Sequence, residues 1–217
     1  IAFFSVRKSY QYRDFDIGIR ARISRVKFQC QCQDTFHAFR LINKQAHTQG
    51  MNRAVVITGG NGSTIDEDIV TVVDYISERL GRIIASSSVY RTPPYGFESD
   101  HDFLNQVLVV ETSLTPYVFL KTIWGIESSY GRERGDDEAE VAKWEARKRG
   151  ERGYFSRNMD IDILFWNDEI ISTDLLAIPH PSMCEREFVM KPLAELLPDF
   201  VHPVTGRKIK DIYSDML

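Results

Sequence analysis

From residue 51 onward the apolar positions of this chain fall into two alternating rhythms. The run "AVVIT" (54–58) predicts a buried strand that leads into a glycine turn, "GGNGS". Ile65, Ile69, Val72, Val73, Ile76 and Leu80 then recur at helical spacing, and Gly81 stops the pattern. Thr64 and Glu67 stand in capping-box spacing, which puts the helix start there. "RIIASSSVY" (82–90) and "LNQVLVVET" (104–112) predict the second and third strands. Thr115-Pro116 joins an N-cap residue to a proline at the first helical position. The helix it opens carries Phe119, Ile123, Ile126 and Tyr130 on one face and stops at Gly131.

"NMDIDILFW" (158–166) predicts the fourth core strand, and "IIST" after the turn "NDE" a hairpin strand. Pro192 is expected to open a short C-terminal helix bearing Leu193, Leu196 and Leu197. The order β-α-β-β-α-β is that of a ferredoxin-like α+β domain, an antiparallel sheet with both helices on one face. The hairpin strand and the short helix are additions to that core. The segment "ERGDDEAEVAKWEARKRGERG" (133–153) reads as a solvated loop, part of it helical because Glu145 and Arg149 are four apart.

Residues 1–50 show no sustained period. They are expected to be a non-native or poorly ordered N-terminal extension, with Met51 the biological start and 51–217 the domain. Charge divides at the same point: nine Lys/Arg against three Asp/Glu in 1–50, and 18 against 28 beyond. An acidic body argues against nucleic acid as a partner, which needs a basic face. The chain has no apolar run of membrane-spanning length, so no membrane partner is expected. Three cysteines give no even disulfide framework, and a reducing, cytoplasmic setting is the default.

Candidate chemistry centres on Asp160 and Asp162. Strand side chains alternate, so these two share a face while Met159, Ile161 and Ile163 take the other. Carboxylates roughly 7 Å apart on one face repel, and a hard divalent cation is their natural compensator. Mg²⁺ takes one or two carboxylates and fills its shell with water and phosphate oxygens. The competing reading is a pair of solvent-facing aspartates on an exposed strand. Arg132, Arg134, Arg157 and Arg186 supply the rigid, always-charged forks that phosphate oxygens favour. Carboxylates for Mg²⁺ with several arginines are what phosphoryl transfer requires. "GGNGST" lacks the lysine of a Walker A loop, which excludes that reading. Two alternatives stand beside it. One is a D-x-D nucleotidyltransferase, although Ser63 and Asp160 are far apart in sequence; the other is a non-catalytic ferredoxin-like binding module.

Taken in order, "GGN" (59–61), "SVYRTPPYG" (88–96), "DFLNQVLVVETSL" (102–114), "IESSYGRERG" (126–135), "SRNMDIDILF" (156–165), "IPHPSM" (178–183) and "REFVMKPLAEL" (186–196) resemble 6-hydroxymethyl-7,8-dihydropterin pyrophosphokinases of folate biosynthesis. The resemblance spans about residues 54–213. It implies transfer of a pyrophosphoryl group from ATP to the pterin hydroxymethyl group, leaving AMP, with two Mg²⁺ ions. Asp160 and Asp162 match the metal ligands and, with Arg132 and Arg157, the catalytic set. Glu127, Arg132, Arg134, Arg157, His180 and Arg186 match positions at the ATP. Thr92, Pro93, Tyr95, Phe103, Asn105, Tyr154 and Phe188 match the pterin pocket. A flat heteroaromatic ring stacks on aromatic faces, and an amide such as Asn105 pairs with its edge. Tyr154 stands where the family has a tryptophan. The segment between Arg134 and Arg157 is longer than in compact members, and it is expected to form a lid over ATP. The resemblance implies a monomer that works on these two small molecules.

Overall fold

The computed structural model describes residues 50–94, 101–132, 134–148 and 158–217. Its centre is strand β1 (Asn52–Gly60), buried on both faces, which is why "AVVIT" is continuously apolar instead of alternating. β4 (Phe103–Thr112) and β5 (Asp160–Trp166) pair antiparallel with β1 on either side. β2 (Arg82–Ser86) and β3 (Tyr90–Thr92) both pair with β4, giving the order β2-β4-β1-β5. With β2 and β3 counted as one broken strand, this is the ferredoxin-like topology.

Helices α1 (Ile65–Arg79) and α2 (Pro116–Ser129) cover one face of the sheet. Ile69, Val72, Ile76, Phe119, Ile123 and Ile126 meet Ala54, Val56, Leu108, Val110, Ile161 and Ile163 there. Thr115 caps α2 as its sequence predicts, its hydroxyl accepting from the Val118 amide at 3.4 Å. The opposite face packs Val55, Ile57, Val107 and Val109 against α4 (Glu187–Leu196) and α5 (Ile209–Ser214). The result is three layers rather than two.

Strand β5 changes face midway. Val55 faces Phe165 and Val56 faces Ile163, so Leu164 is an extra, bulged residue. Beyond the bulge Phe165 joins the α4 side. Trp166 turns to the α2 side, edge-on to Phe119 with ring centroids 5.2 Å apart. Before the bulge the alternation is regular: Met159, Ile161 and Ile163 lie in the α1/α2 core.

Several expectations need correction. The strand predicted over 82–90 is broken at Ser87. The Ser87 amide still donates to the Val107 carbonyl at 2.9 Å, but its Oγ accepts from the Val107 amide at 3.0 Å and its carbonyl from Gln106 Nε2 at 2.9 Å, so side chains take over part of the ladder. Helix α1 starts where expected but without a capping box. Thr64 has φ −106° and ψ 13°, too far from extended for its hydroxyl to reach back, and it donates instead to Asp68 Oδ2 at 2.7 Å. The segment read as a solvated loop, helical in part, is helical over three turns in α3 (Asp137–Lys148), capped by Asp136 Oδ1, which accepts from the Ala139 amide at 2.9 Å. Pro192 does not open its helix but lies within it. Arg186 is the N-cap, and its carbonyl takes the amides of Val189 and Met190 at 3.0 and 2.9 Å. The turn survives the missing N–H because Val189, Met190, Leu193 and Leu196 are all buried. Ile171–Ser172 (β6) pairs with Ala177–Ile178 (β7) in a separate two-stranded ribbon, not with the main sheet. Helix α5 has only two buried anchors, Ile209 and Ile212, too few for a legible period.

Candidate active site

Strand register assembles the site. Tyr90 faces Asn105, Asn105 faces Gly59, and Gly59 faces Asp160, so one row crosses β3, β4, β1 and β5. Directly opposite residues share a face, and this row faces the α4 side. One step outward Thr92 faces Phe103, and one step inward Ile57 faces Asp162. The predicted pterin residues Thr92, Phe103 and Asn105 and the aspartates Asp160 and Asp162 therefore meet at one end of one sheet face. Gly59 is the gap in that row. A Cβ there would collide with the Asn105 side-chain oxygen and with the Leu104 carbonyl, so only glycine lets the buried amide lie across β1.

The aspartates are the half-open part of the row, with side chains 26% (Asp160) and 39% (Asp162) exposed. Arg132 reaches Asp160 from the end of α2. Gly131, at φ +83°, ends that helix, and the Arg132 amide returns to the Glu127 carbonyl at 3.2 Å. This puts the loop arginines beside the helix acid. Arg132 Nη1 donates both to Asp160 and to Glu127 Oε1, the latter at 2.6 Å. Burial works against the Arg132 charge, but Asp160 and Glu127 outweigh it and hold the guanidinium above its usual value.

Glu127 is fully buried and organises the cluster from beneath. It accepts from Arg132, from Arg134 Nε at 2.9 Å and from the Ile161 amide at 2.9 Å. Burial first, then the Asp160 charge, push its carboxyl up to about 8 against the pull of the two arginines. Glu127, expected near the nucleotide, has no exposed surface and ties Arg132 and Arg134 together. Arg134 is held on three sides: Glu127, Glu140 of α3 at 3.0 Å, and the Trp124 ring, 4.8 Å from its guanidinium carbon.

His180 follows β7, and its Nε2 lies 4.0 Å from Asp162 Oδ2. Its Nδ1 accepts from the Ser182 amide at 3.3 Å, which leaves the proton on Nε2, facing the carboxylate. Burial lowers its pKa despite Asp162, so the neutral ring is favoured. Arg186 caps α4 with its guanidinium carbon 5.8 Å from the Phe188 ring centre. Pro93 is exposed just beyond Thr92. Tyr95, Tyr154 and Arg157 lie outside the described residues.

Among the described residues no group of three or more His, Cys, Asp and Glu side chains converges as a metal cage. Two half-exposed carboxylates on one face are nevertheless a donor set that suits Mg²⁺, which draws its remaining ligands from water and phosphate. Gly59 and Glu140 went unassigned in the sequence. For Gly59 the available signal was a glycine directly after a buried strand; for Glu140 nothing marked it among its acidic neighbours.

A ferredoxin-like α+β domain with paired carboxylates and clustered arginines at one end of its sheet is built for the transfer of phosphorus-bearing groups. The chain belongs to the 7,8-dihydro-6-hydroxymethylpterin-pyrophosphokinase family, whose model matches residues 55–198. It is 35% identical over 154 residues to the 2-amino-4-hydroxy-6-hydroxymethyldihydropteridine pyrophosphokinase of Aquifex aeolicus, covering 70% of this chain and 86% of that one. The enzyme of the same name from Methylorubrum extorquens is 35% identical over 163 residues, 74% of this chain and 91% of the relative. Among solved structures, the wild-type HPPK-DHPS of Plasmodium falciparum with pteroate superposes with a TM-score of 0.55 at 18% identity. It covers 76% of this chain but only 44% of that longer one, a likeness of fold.

Proposed function

We propose that this chain transfers the pyrophosphoryl group of ATP to 6-hydroxymethyl-7,8-dihydropterin, giving AMP and the pterin diphosphate, in folate biosynthesis. The observation that carries the reading is the shared row: Asn105 and Asp160 flank Gly59 on one sheet face, so a ring held at Asn105 has its substituent near the carboxylates. Thr92, Pro93, Tyr95, Phe103, Asn105, Tyr154 and Phe188 form the pterin pocket in this reading. Glu127, Arg132, Arg134, Arg157, His180 and Arg186 serve the ATP.

The hydroxymethyl oxygen attacks the β-phosphorus, the bond from the β-phosphorus to the oxygen bridging the α-phosphorus breaks, and AMP leaves with that oxygen. The hydroxyl proton passes to solvent. AMP departs as a phosphate anion that needs no proton, so positioning and charge neutralisation dominate. Asp160 and Asp162 would hold two Mg²⁺ ions, which supply positive charge at the phosphate oxygens. With another cation held at Asp160, Arg132 would be free to turn from that carboxylate to the phosphates. Arg157 and Arg186 clamp phosphate oxygens, and His180 steadies Asp162 from the side.

A monomer is the working unit in this reading. The cysteine count supports a reducing, cytoplasmic setting. The test is the fate of phosphorus: ³¹P NMR of the reaction should show one AMP signal and a coupled pair on the pterin product. ADP with a pterin monophosphate instead would overturn the reading.

A further inference from the structure

We propose that Glu195, on α4, is a positioning residue for the pterin side of the site, clamping the segment that leads into Thr92 and Pro93. The inference rests on the pterin pocket assigned above and goes on to name what holds one of its walls in place.

Glu195 lies outside the catalytic row and its side chain is exposed, yet the carboxylate is fully engaged. The Ser88 amide donates to both oxygens at 3.2 Å. Ser88 Oγ donates to Oε1 at 2.8 Å, and Tyr90 Oη to Oε2 at 2.8 Å. Ser88 lies in the break between β2 and β3, where the ladder to β4 is interrupted, and Tyr90 opens β3 just beyond it. A strand that loses its ladder needs another anchor to keep its register. Here the anchor comes from a different layer of the molecule.

The same helix face repeats the contact. Phe188, Lys191 and Glu195 are spaced by three and four, one stripe along α4. Lys191 Nζ stands 5.4 Å from the centre of the Tyr90 ring, and Glu195 takes its hydroxyl. Burial and then the Glu195 hydrogen bond push the Tyr90 hydroxyl up to about 12, so it remains a donor throughout the physiological range. Tyr90 faces Asn105 across the ladder, and Thr92, two residues on, faces Phe103 on the same side. Fixing Tyr90 thus fixes the rung that presents Asn105 and the one that presents Thr92 and Phe103. Phe188 starts the stripe and Glu195 ends it, so one rigid helix sets the spacing between two walls of the pocket.

The test compares Glu195→Ala, Glu195→Gln and Tyr90→Phe with the unmodified chain. Three readouts are needed: amide exchange over residues 88–92, equilibrium pterin binding, and steady-state kinetics. Glu195→Ala should speed exchange in that segment and weaken pterin binding about ten-fold. It should leave KM for ATP and kcat within two-fold. Glu195→Gln, which keeps one acceptor, should recover part of the binding, and Tyr90→Phe should lose less than Glu195→Ala. Faster exchange with unchanged pterin affinity would reduce Glu195 to a structural contact and overturn the inference, as would unchanged exchange. An unmodified chain that binds no pterin would overturn the functional reading itself, and that measurement alone separates the two failures.

Discussion

Asp160 and Asp162 are two residues apart on one strand, yet their surroundings differ. Asp160 already has a cation, Arg132, which is pinned in turn by buried Glu127. Asp162 has the His180 imidazole 4.0 Å away and is the more exposed. Removing either carboxylate should cost turnover heavily while sparing the fold. Asp162→Asn is expected to lower kcat by roughly 10²–10³-fold, the scale of losing a preorganised electrostatic contact in an active site. Its thermal midpoint should stay level or rise, because carboxylate repulsion is relieved; steady-state kinetics with a melting curve checks both. Gly59→Ala is expected to cost about 1–3 kcal/mol of stability, as overpacking does. It should also weaken pterin binding by displacing the Asn105 amide, and denaturant unfolding with a binding titration would show it. The alternation of β5 made the aspartate pair legible from sequence. The Asn105–Gly59–Asp160 row was not, because register across three strands has no local signature.

At the scale of elements, α3 is the addition that sequence patterning underestimated. Its apolar content is too low for a core stripe, and it is held by polar ties instead. Asp137 bonds Tyr117 at 2.9 Å and also Lys121, and Lys121 lies 4.1 Å above Trp124. Through Glu140 the helix occupies Arg134, one of the cations assigned to ATP. In the proposed function nucleotide competes with Glu140 for that guanidinium. Glu140→Gln is therefore expected to tighten ATP binding roughly five-fold, the worth of a partly buried pair of about 1 kcal/mol. Weaker ATP binding in a calorimetric titration would mean that Glu140 presents the arginine rather than withholding it.

The turn before α5 carries a pH signature. His202 is buried edge-on to Phe165, and its Nδ1 accepts from the Val204 and Thr205 amides at 3.3 Å each. Burial lowers its pKa, so the unfolded chain takes up this proton first, near 6.5. Stability from the neutral ring is complete above that pH and is lost as pH falls through it towards the lower folded value. The melting temperature should drop between pH 7 and 5, and less steeply in His202→Asn, which keeps an acceptor in place of Nδ1. Equal slopes would contradict this account.

Across the whole molecule, the ferredoxin-like core was legible because β1, α1, α2 and β4 each bury a regular pattern. Ile123, wholly buried on α2, belongs to that pattern. Ile123→Ala should destabilise the chain by about 2–5 kcal/mol without changing ATP affinity. Less legible was the second helical layer. Proline 192 suggested a helix start, whereas burial on both sides of it carried the helix through from Glu187. In the proposed function that shift matters, since it puts Arg186 and Phe188 at the N-terminal end of a rigid element.

The most direct test of the central claim is AMP release from ATP, followed with Mg²⁺ and 6-hydroxymethyl-7,8-dihydropterin added singly and together, for the unmodified chain and Asp162→Asn. Release is expected only when both are present, and near-abolition in the variant. Release independent of the pterin, or undiminished in Asp162→Asn, would contradict it.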